Sequence, residues 1–152
     1  MEHRVNLGKA APALYQLMIS FDRQVNEHVA ASGMAEGFSH LLRLRASQLN
    51  GCAFCVRLHT SDALAAGESM DRISVLPAWR DTQYFNDKER ASLALCESVT
   101  LISEGQVPDS VYQHASSVLS PQEISAVEWL AVLINAWNRV AISSRYPVGG
   151  AS

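Results

Sequence analysis

Two thiols and an imidazole stand close together in this 152-residue chain, in Asn50-Gly51-Cys52-Ala53-Phe54-Cys55-Val56-Arg57-Leu58-His59. In a cytosolic protein a Cys-x-x-Cys pair is more often redox-active or metal-binding than a structural disulfide. A histidine beside the pair adds a base able to take a proton from a thiol. Such chemistry needs all three side chains on one side of one element. Along a helix, at 100° per residue, Cys52, Cys55 and His59 fall within an arc of about 60°. Cys55 and His59 then stand one turn apart.

Two arguments bear on which sulfur is activated. Asn50-Gly51 breaks the preceding helix and puts Cys52 in the first turn of the next, where unpaired N–H groups and the dipole favour a thiolate. Proximity to a histidine base favours Cys55 instead. The reading leans to Cys55 as the attacking thiolate and Cys52 as its resolving partner. The plainer alternative is two small buried residues, since free cysteine is among the most buried types.

The elements that must position these groups read as helices throughout. Residues 11–31 carry Leu14, Leu17, Met18, Phe21 and Val25 at amphipathic spacing, and residues 38–49 repeat it with Leu41, Leu42, Leu44 and Leu49. The cysteine helix spans residues 52–66 and ends before Gly67. Shorter helices follow at 71–79, at 87–102 with Glu89 in the first turn, and from Pro108-Asp109 to about residue 119. Ser120-Pro121-Gln122-Glu123 has the spacing of a capping box and opens the last helix, which runs to about residue 142. No period-two alternation survives. The expectation is one all-α domain over residues 1–152, with its core at about 10–147 and six to seven helices.

Composition narrows the classes. The chain is 48% hydrophobic and carries a net charge of −3, which argues against disorder. No basic patch points to nucleic acid. The most apolar stretch, residues 129–137, is about half the roughly 20 residues of a membrane span, and no signal-peptide pattern opens the chain. The expected location is therefore the cytoplasm, with neither nucleic acid nor membrane as partner. Charged residues make up only 18%, against roughly 25% in typical soluble domains, which points to apolar surface covered by another subunit.

The segment Leu44-Arg45-Ala46-Ser47-Gln48-Leu49-Asn50-Gly51-Cys52-Ala53-Phe54-Cys55, with His59 and Ala66-Gly67-Glu68, resembles the carboxymuconolactone decarboxylase family. Within that family it is similar to the alkylhydroperoxidase D (AhpD)-like core. Similarity continues through Ala78-Trp79-Arg80-Asp81-Thr82, Glu89-Arg90-Ala91, Val107-Pro108-Asp109 and Leu133-Ile134-Asn135-Ala136-Trp137-Asn138-Arg139. The resemblance implies a helical subunit assembling as a homotrimer or homohexamer, and hydroperoxide reduction without a bound cofactor. The residue matching Cys55 attacks the peroxide and becomes a sulfenic acid. The residue matching Cys52 gives a proton and closes a disulfide, which an external thiol or dithiol reduces. His59 matches the base of the proton relay. Members that decarboxylate lactones lack the cysteine pair.

One position departs from that pattern. Where the relay has a glutamate, twelve residues before the first cysteine, this chain has His40. A histidine can shuttle protons but supplies no fixed negative charge to hold His59 as a cation. Weak or pH-shifted peroxidase activity is expected, with Glu36, one turn earlier, a candidate replacement acid. The substitution also opens a rival set, Cys52, Cys55, His59 and His40, whose ligand types suit tetrahedral zinc. A third reading is a non-catalytic helical oligomer whose cysteines only sense oxidants.

Elsewhere the plain readings are preferred. Cys96 is expected in the core, and His3, His28 and His114 as surface or satisfied histidines. Arg43, Arg45 and Arg57 are expected to solvate exposed faces. The stripe of Trp129, Ala136, Trp137 and Arg139 reads as core or interface rather than ligand pocket. The covered surface is expected on the first and last helices and around Trp79 and Trp137.

Overall fold

The computed structural model describes residues 3–150. Among them the chain forms α1 (Leu7–Ala10), α2 (Pro12–Ala31), α3 (Glu36–Asn50), α4 (Ala53–Ala65), α5 (Met70–Val75), a 3-10 helix (Leu76–Asp81), α6 (Asp87–Thr100), α7 (Asp109–Val118) and α8 (Pro121–Ser144), with no strand. The all-α expectation holds, but six to seven helices become eight.

The extra helix is α1, held by the Asn6 side chain accepting the Lys9 N–H at 2.9 Å. Ala11 separates it from α2 at φ −139°, because the residue before a proline is pushed out of the helical region. The segment expected as one helix at 71–79 also splits. Pro77 has no N–H to donate and its ring crowds the preceding turn, so the chain tightens to 3-10 geometry after Val75.

Caps set the other boundaries. Asn86 and Glu89 form a full reciprocal capping box at the start of α6. At α8 only half of one forms. Ser120 Oγ accepts the Glu123 N–H at 3.1 Å, but the Glu123 carboxylate is taken by Lys88 at 3.0 Å.

Helix α3 is the central element, packed against α4, α6 and α8. Leu41, Leu42, Leu44 and Ala46 are buried on several of its sides, which a helix enclosed by others requires. Facing them are Leu93 and Leu95 of α6 and Val127, Leu130, Leu133 and Ile134 of α8. Cys96 lies in this core as expected, its thiol pushed up to about 12 by burial.

Trp79, expected near a covered outer surface, is instead buried within the chain. Its indole N–H donates to Glu97 Oε1 at 2.8 Å, and Glu97 also accepts from Arg45 Nε and Arg80 Nη1, each at 2.8 Å. Burial alone would raise the Glu97 carboxyl, but these three donors outweigh it and hold it below the usual glutamate range. Arg45 is therefore a tie between α3 and α6 rather than a solvated surface residue.

Leu14 and Leu17 on α2, and Trp129 and Val132 on α8, are exposed in the single chain. Among the described residues, no helix is long and apolar enough to cross a membrane.

Candidate functional site

The cysteine turn is built where α3 stops and α4 starts. Gly51 takes φ +71°, the left-handed conformation that glycine adopts without a Cβ clash, and this ends α3. Cys52 is then the N-cap of α4, one residue before the turn in which it was expected. Its Sγ accepts the N–H of Cys55 at 3.3 Å. Both cysteines thus sit at the positive end of one helix, and the dipole does not distinguish them. They are joined as a disulfide with Cα atoms 5.3 Å apart, and both are buried.

Behind the turn runs a chain of side-chain amides and hydroxyls. Asn50 Nδ2 donates to Asn135 Oδ1 at 2.9 Å and Asn138 Oδ1 at 2.8 Å. Asn138 Nδ2 donates to Ser47 Oγ at 3.0 Å, and Asn135 Nδ2 to Thr100 Oγ1 at 3.0 Å. Asn138 is fully buried, so its two bonds, to Asn50 and Ser47, replace ones that water can no longer make.

In front of the turn is a cavity of about 290 Å³ whose lining includes Cys55, His59, Phe54, Leu58, Trp137 and Tyr146. Cys55 contributes to the wall and Cys52 does not. The wall is mostly apolar and braced by aromatic pairs. Phe54 meets Tyr146 edge-on with ring centres 5.1 Å apart, and Tyr15 meets Trp137 at 5.7 Å. The Trp137 indole N–H is fixed by Asp22 Oδ2 at 2.8 Å. Trp137, read from sequence as core or interface, is part of this pocket.

His59 also borders a second hollow of about 500 Å³, lined by His40, Arg43, Asp62 and Glu36 among others. There the His40 and His59 rings stack with centres 5.8 Å apart and planes 24° from parallel. Asp62 Oδ2 lies 3.6 Å from His59 Nδ1 and 4.0 Å from His40 Nδ1. Both Nδ1 atoms are buried without a hydrogen bond.

The electrostatics favour neutral rings. Burial first, then the Arg43 guanidinium and His40, push His59 down to about 3, and Asp62 does not offset them. His40 is lowered too, by burial and Arg43 against the pull of Asp62 and Glu36. A neutral His59 is in keeping with a histidine, not a carboxylate, at position 40. Arg43, expected on an exposed face, is 7% exposed, with Nη1 donating to Ser39 Oγ at 2.8 Å and Nη2 to Asn26.

The structure thus brings Cys52, Cys55 and His59 to one place, with His40 on the far side of His59. With the two sulfurs bonded to each other, neither is free as a metal ligand in this state. Glu36 lines the second hollow, but Asp62 is the carboxylate that meets both rings. Sequence reasoning passed over Asp62 although two signals marked it. Cys55, His59 and Asp62 follow the i, i+4, i+7 spacing of one helical face. His40 and Asp62 are also equidistant from Gly51, eleven residues to either side, as facing positions of a helical hairpin are. His28, read as a surface or satisfied histidine, meets Ser125 Oγ at 3.0 Å.

The chain is similar to known proteins over most of its length. The family model for the carboxymuconolactone decarboxylase family matches residues 12–98. The uncharacterized protein YdfG of Bacillus subtilis (strain 168) is 33% identical over 143 residues, covering 94% of this chain and 95% of the relative. A crystal structure of ATU0492 from Agrobacterium tumefaciens, a protein of unknown function proposed as the antioxidant defence protein AhpD, superposes with a TM-score of 0.85. It is 33% identical and covers 97% of this chain and 100% of its own. On these matches the chain belongs to the carboxymuconolactone decarboxylase family and has an AhpD-like fold.

Proposed function

We propose that this protein is a thiol-dependent hydroperoxide reductase acting through Cys55, Cys52 and His59. The observation that carries the reading is that Cys55, within bonding reach of Cys52, shares an apolar cavity with His59. The antioxidant role put forward for ATU0492 points the same way.

In the reduced protein, the first turn of α4 and the neutral His59 ring together favour loss of the Cys55 proton. The thiolate attacks the outer oxygen of the hydroperoxide. An S–O bond forms as the O–O bond breaks, and the departing alkoxide takes a proton to leave as an alcohol. Cys52 then attacks the sulfenic sulfur, the S–S bond forms, and the hydroxyl leaves with the second thiol proton as water. The two electrons come from the two thiols, and an external dithiol returns them by exchange. No resident cofactor is required.

Because its proton affinity is low, His59 acts as a shuttle rather than a standing cation. Asp62 stands at its Nδ1 to support the charge as it develops, and His40 extends the path away from the cavity. Aromatic walls suit an organic peroxide better than a fully polar one. The exposed Leu14, Leu17 and Trp129 fit a homotrimer or homohexamer, and the dithiol requirement fits the cytoplasm.

Peroxide consumption with a dithiol reductant tests the reading in the wild type, Cys55→Ser and Cys52→Ser. Turnover is expected in the wild type alone. Equal turnover in all three sinks the proposal. A single stoichiometric oxidation of the wild type without turnover also sinks it, and favours a sensor.

A further inference from the structure

We propose that His40, His59 and Asp62 form a binding site for one zinc-class divalent cation, separate from the cysteine pair. One ring nitrogen of each histidine and one Asp62 oxygen all lie within 4.8 Å of one another. Ligands 2.0–2.1 Å from a tetrahedral zinc stand roughly 3.3 Å apart. The 3.6 and 4.0 Å separations from Asp62 therefore need to close by under 1 Å, and the two ring nitrogens, within 4.8 Å of each other, by up to about 1.5 Å. Two histidines and one carboxylate with a fourth position open is a recurrent zinc arrangement.

Two further features point to an ion. Each Nδ1 is buried without a hydrogen bond, and a buried polar atom left so costs about 1–3 kcal/mol. That two such atoms face the same carboxylate oxygen is accounted for by one cation between them. Finally, the 500 Å³ hollow gives an entry path and room for a water ligand, with the Asp62 side chain 40% exposed at its edge. Arg43 is the opposing charge. Its guanidinium is engaged by Ser39 and Asn26, while Asp62 and Glu36 supply two negative charges to the same hollow.

The site does not rest on the peroxidase reading, but it uses the same His59, Asp62 and His40 as the relay proposed there. An ion on these atoms blocks that relay, so the two are alternative states of one group, and the test keeps them apart. The full chain, stripped with a chelator and kept oxidised, is titrated with Zn²⁺ by calorimetry and with Co²⁺ by visible absorption. One ion per chain is expected, with a tetrahedral Co²⁺ band. Asp62→Asn and His40→Gln should each weaken binding on the order of tenfold or more, since even outer-sphere changes at metal sites cost 10–100-fold. Cys52→Ser/Cys55→Ser should bind like the wild type. Circular dichroism melts of the metal-free variants establish that they are folded. Absence of saturable binding to the wild type overturns the proposal on its own. So does binding that survives both ligand substitutions, and so does binding lost only in the double cysteine variant, which assigns the ion to sulfur.

Discussion

His59 should make the protein acid-sensitive in a range where most carboxylates are still ionised. In the native chain the ring stays neutral down to about 3, through burial first and the Arg43 charge second. In the unfolded chain it titrates near its ordinary value of about 6.5. Between those values the unfolded state binds more protons, so stability falls as pH falls. The contribution is complete above about 6.5 and is lost progressively towards the folded value. Each pH unit within that window is worth about 1.4 kcal/mol, and integration from pH 7 to pH 5 gives about 2 kcal/mol. The assay is urea unfolding at pH 7, 6 and 5 with a chelator present, on the wild type and on His59→Gln. Other titrating groups are common to both chains, so the difference between their pH profiles isolates the ring. The wild type should lose about 2 kcal/mol more than the variant over that interval. Parallel profiles would refute the reasoning and mean that water reaches the ring.

Three other outcomes follow from the geometry. Glu97→Gln removes the charge that Arg45 and Arg80 share beside Trp79, and should cost about 3 kcal/mol in chemical denaturation because Arg45 is left without an anion. Asn138→Ala leaves Ser47 Oγ without its amide donor and one amide hydrogen of Asn50 without an acceptor, and should cost about 2–3 kcal/mol by the same measurement, against little for an exposed amide such as Gln113→Ala. His40→Glu restores a carboxylate beside His59 and should raise peroxide turnover; an unchanged rate in a steady-state assay counts against a relay through position 40.

Much of this arrangement was legible because it is local. Cys52, Cys55 and His59 share one helix and its start, and the Asn50-Gly51 break marks that start in the sequence itself. Helix ends with strong punctuation, such as Gly67 or Ser120-Pro121, fell within a residue or two of their places. What escaped depends on packing. Arg43 looks like any exposed arginine until Asn26 of α2 and Ser39 close over it. Trp79 looks like interface material until Glu97, eighteen residues away, is seen to receive its N–H. The second hollow exists only because α3 and α4 pack as a hairpin, which sets His40 against His59 and Asp62. Pro77 is plain in the sequence, but the apolar pattern that runs through it hides the change to 3-10 geometry.

The amide chain behind the cysteine turn bears on how portable the motif is. The Asn50-to-Cys55 segment is short, and its spacing can be copied onto any helical hairpin. Its Asn50 side chain, however, is held by Asn135 and Asn138 of α8, and through Asn135 by Thr100 of α6, both remote in sequence. A graft that carries only the contiguous residues transfers the spelling without the frame. The smallest transplantable unit spans four helices, α3, α4, α6 and α8, and three of them contain no cysteine of the pair.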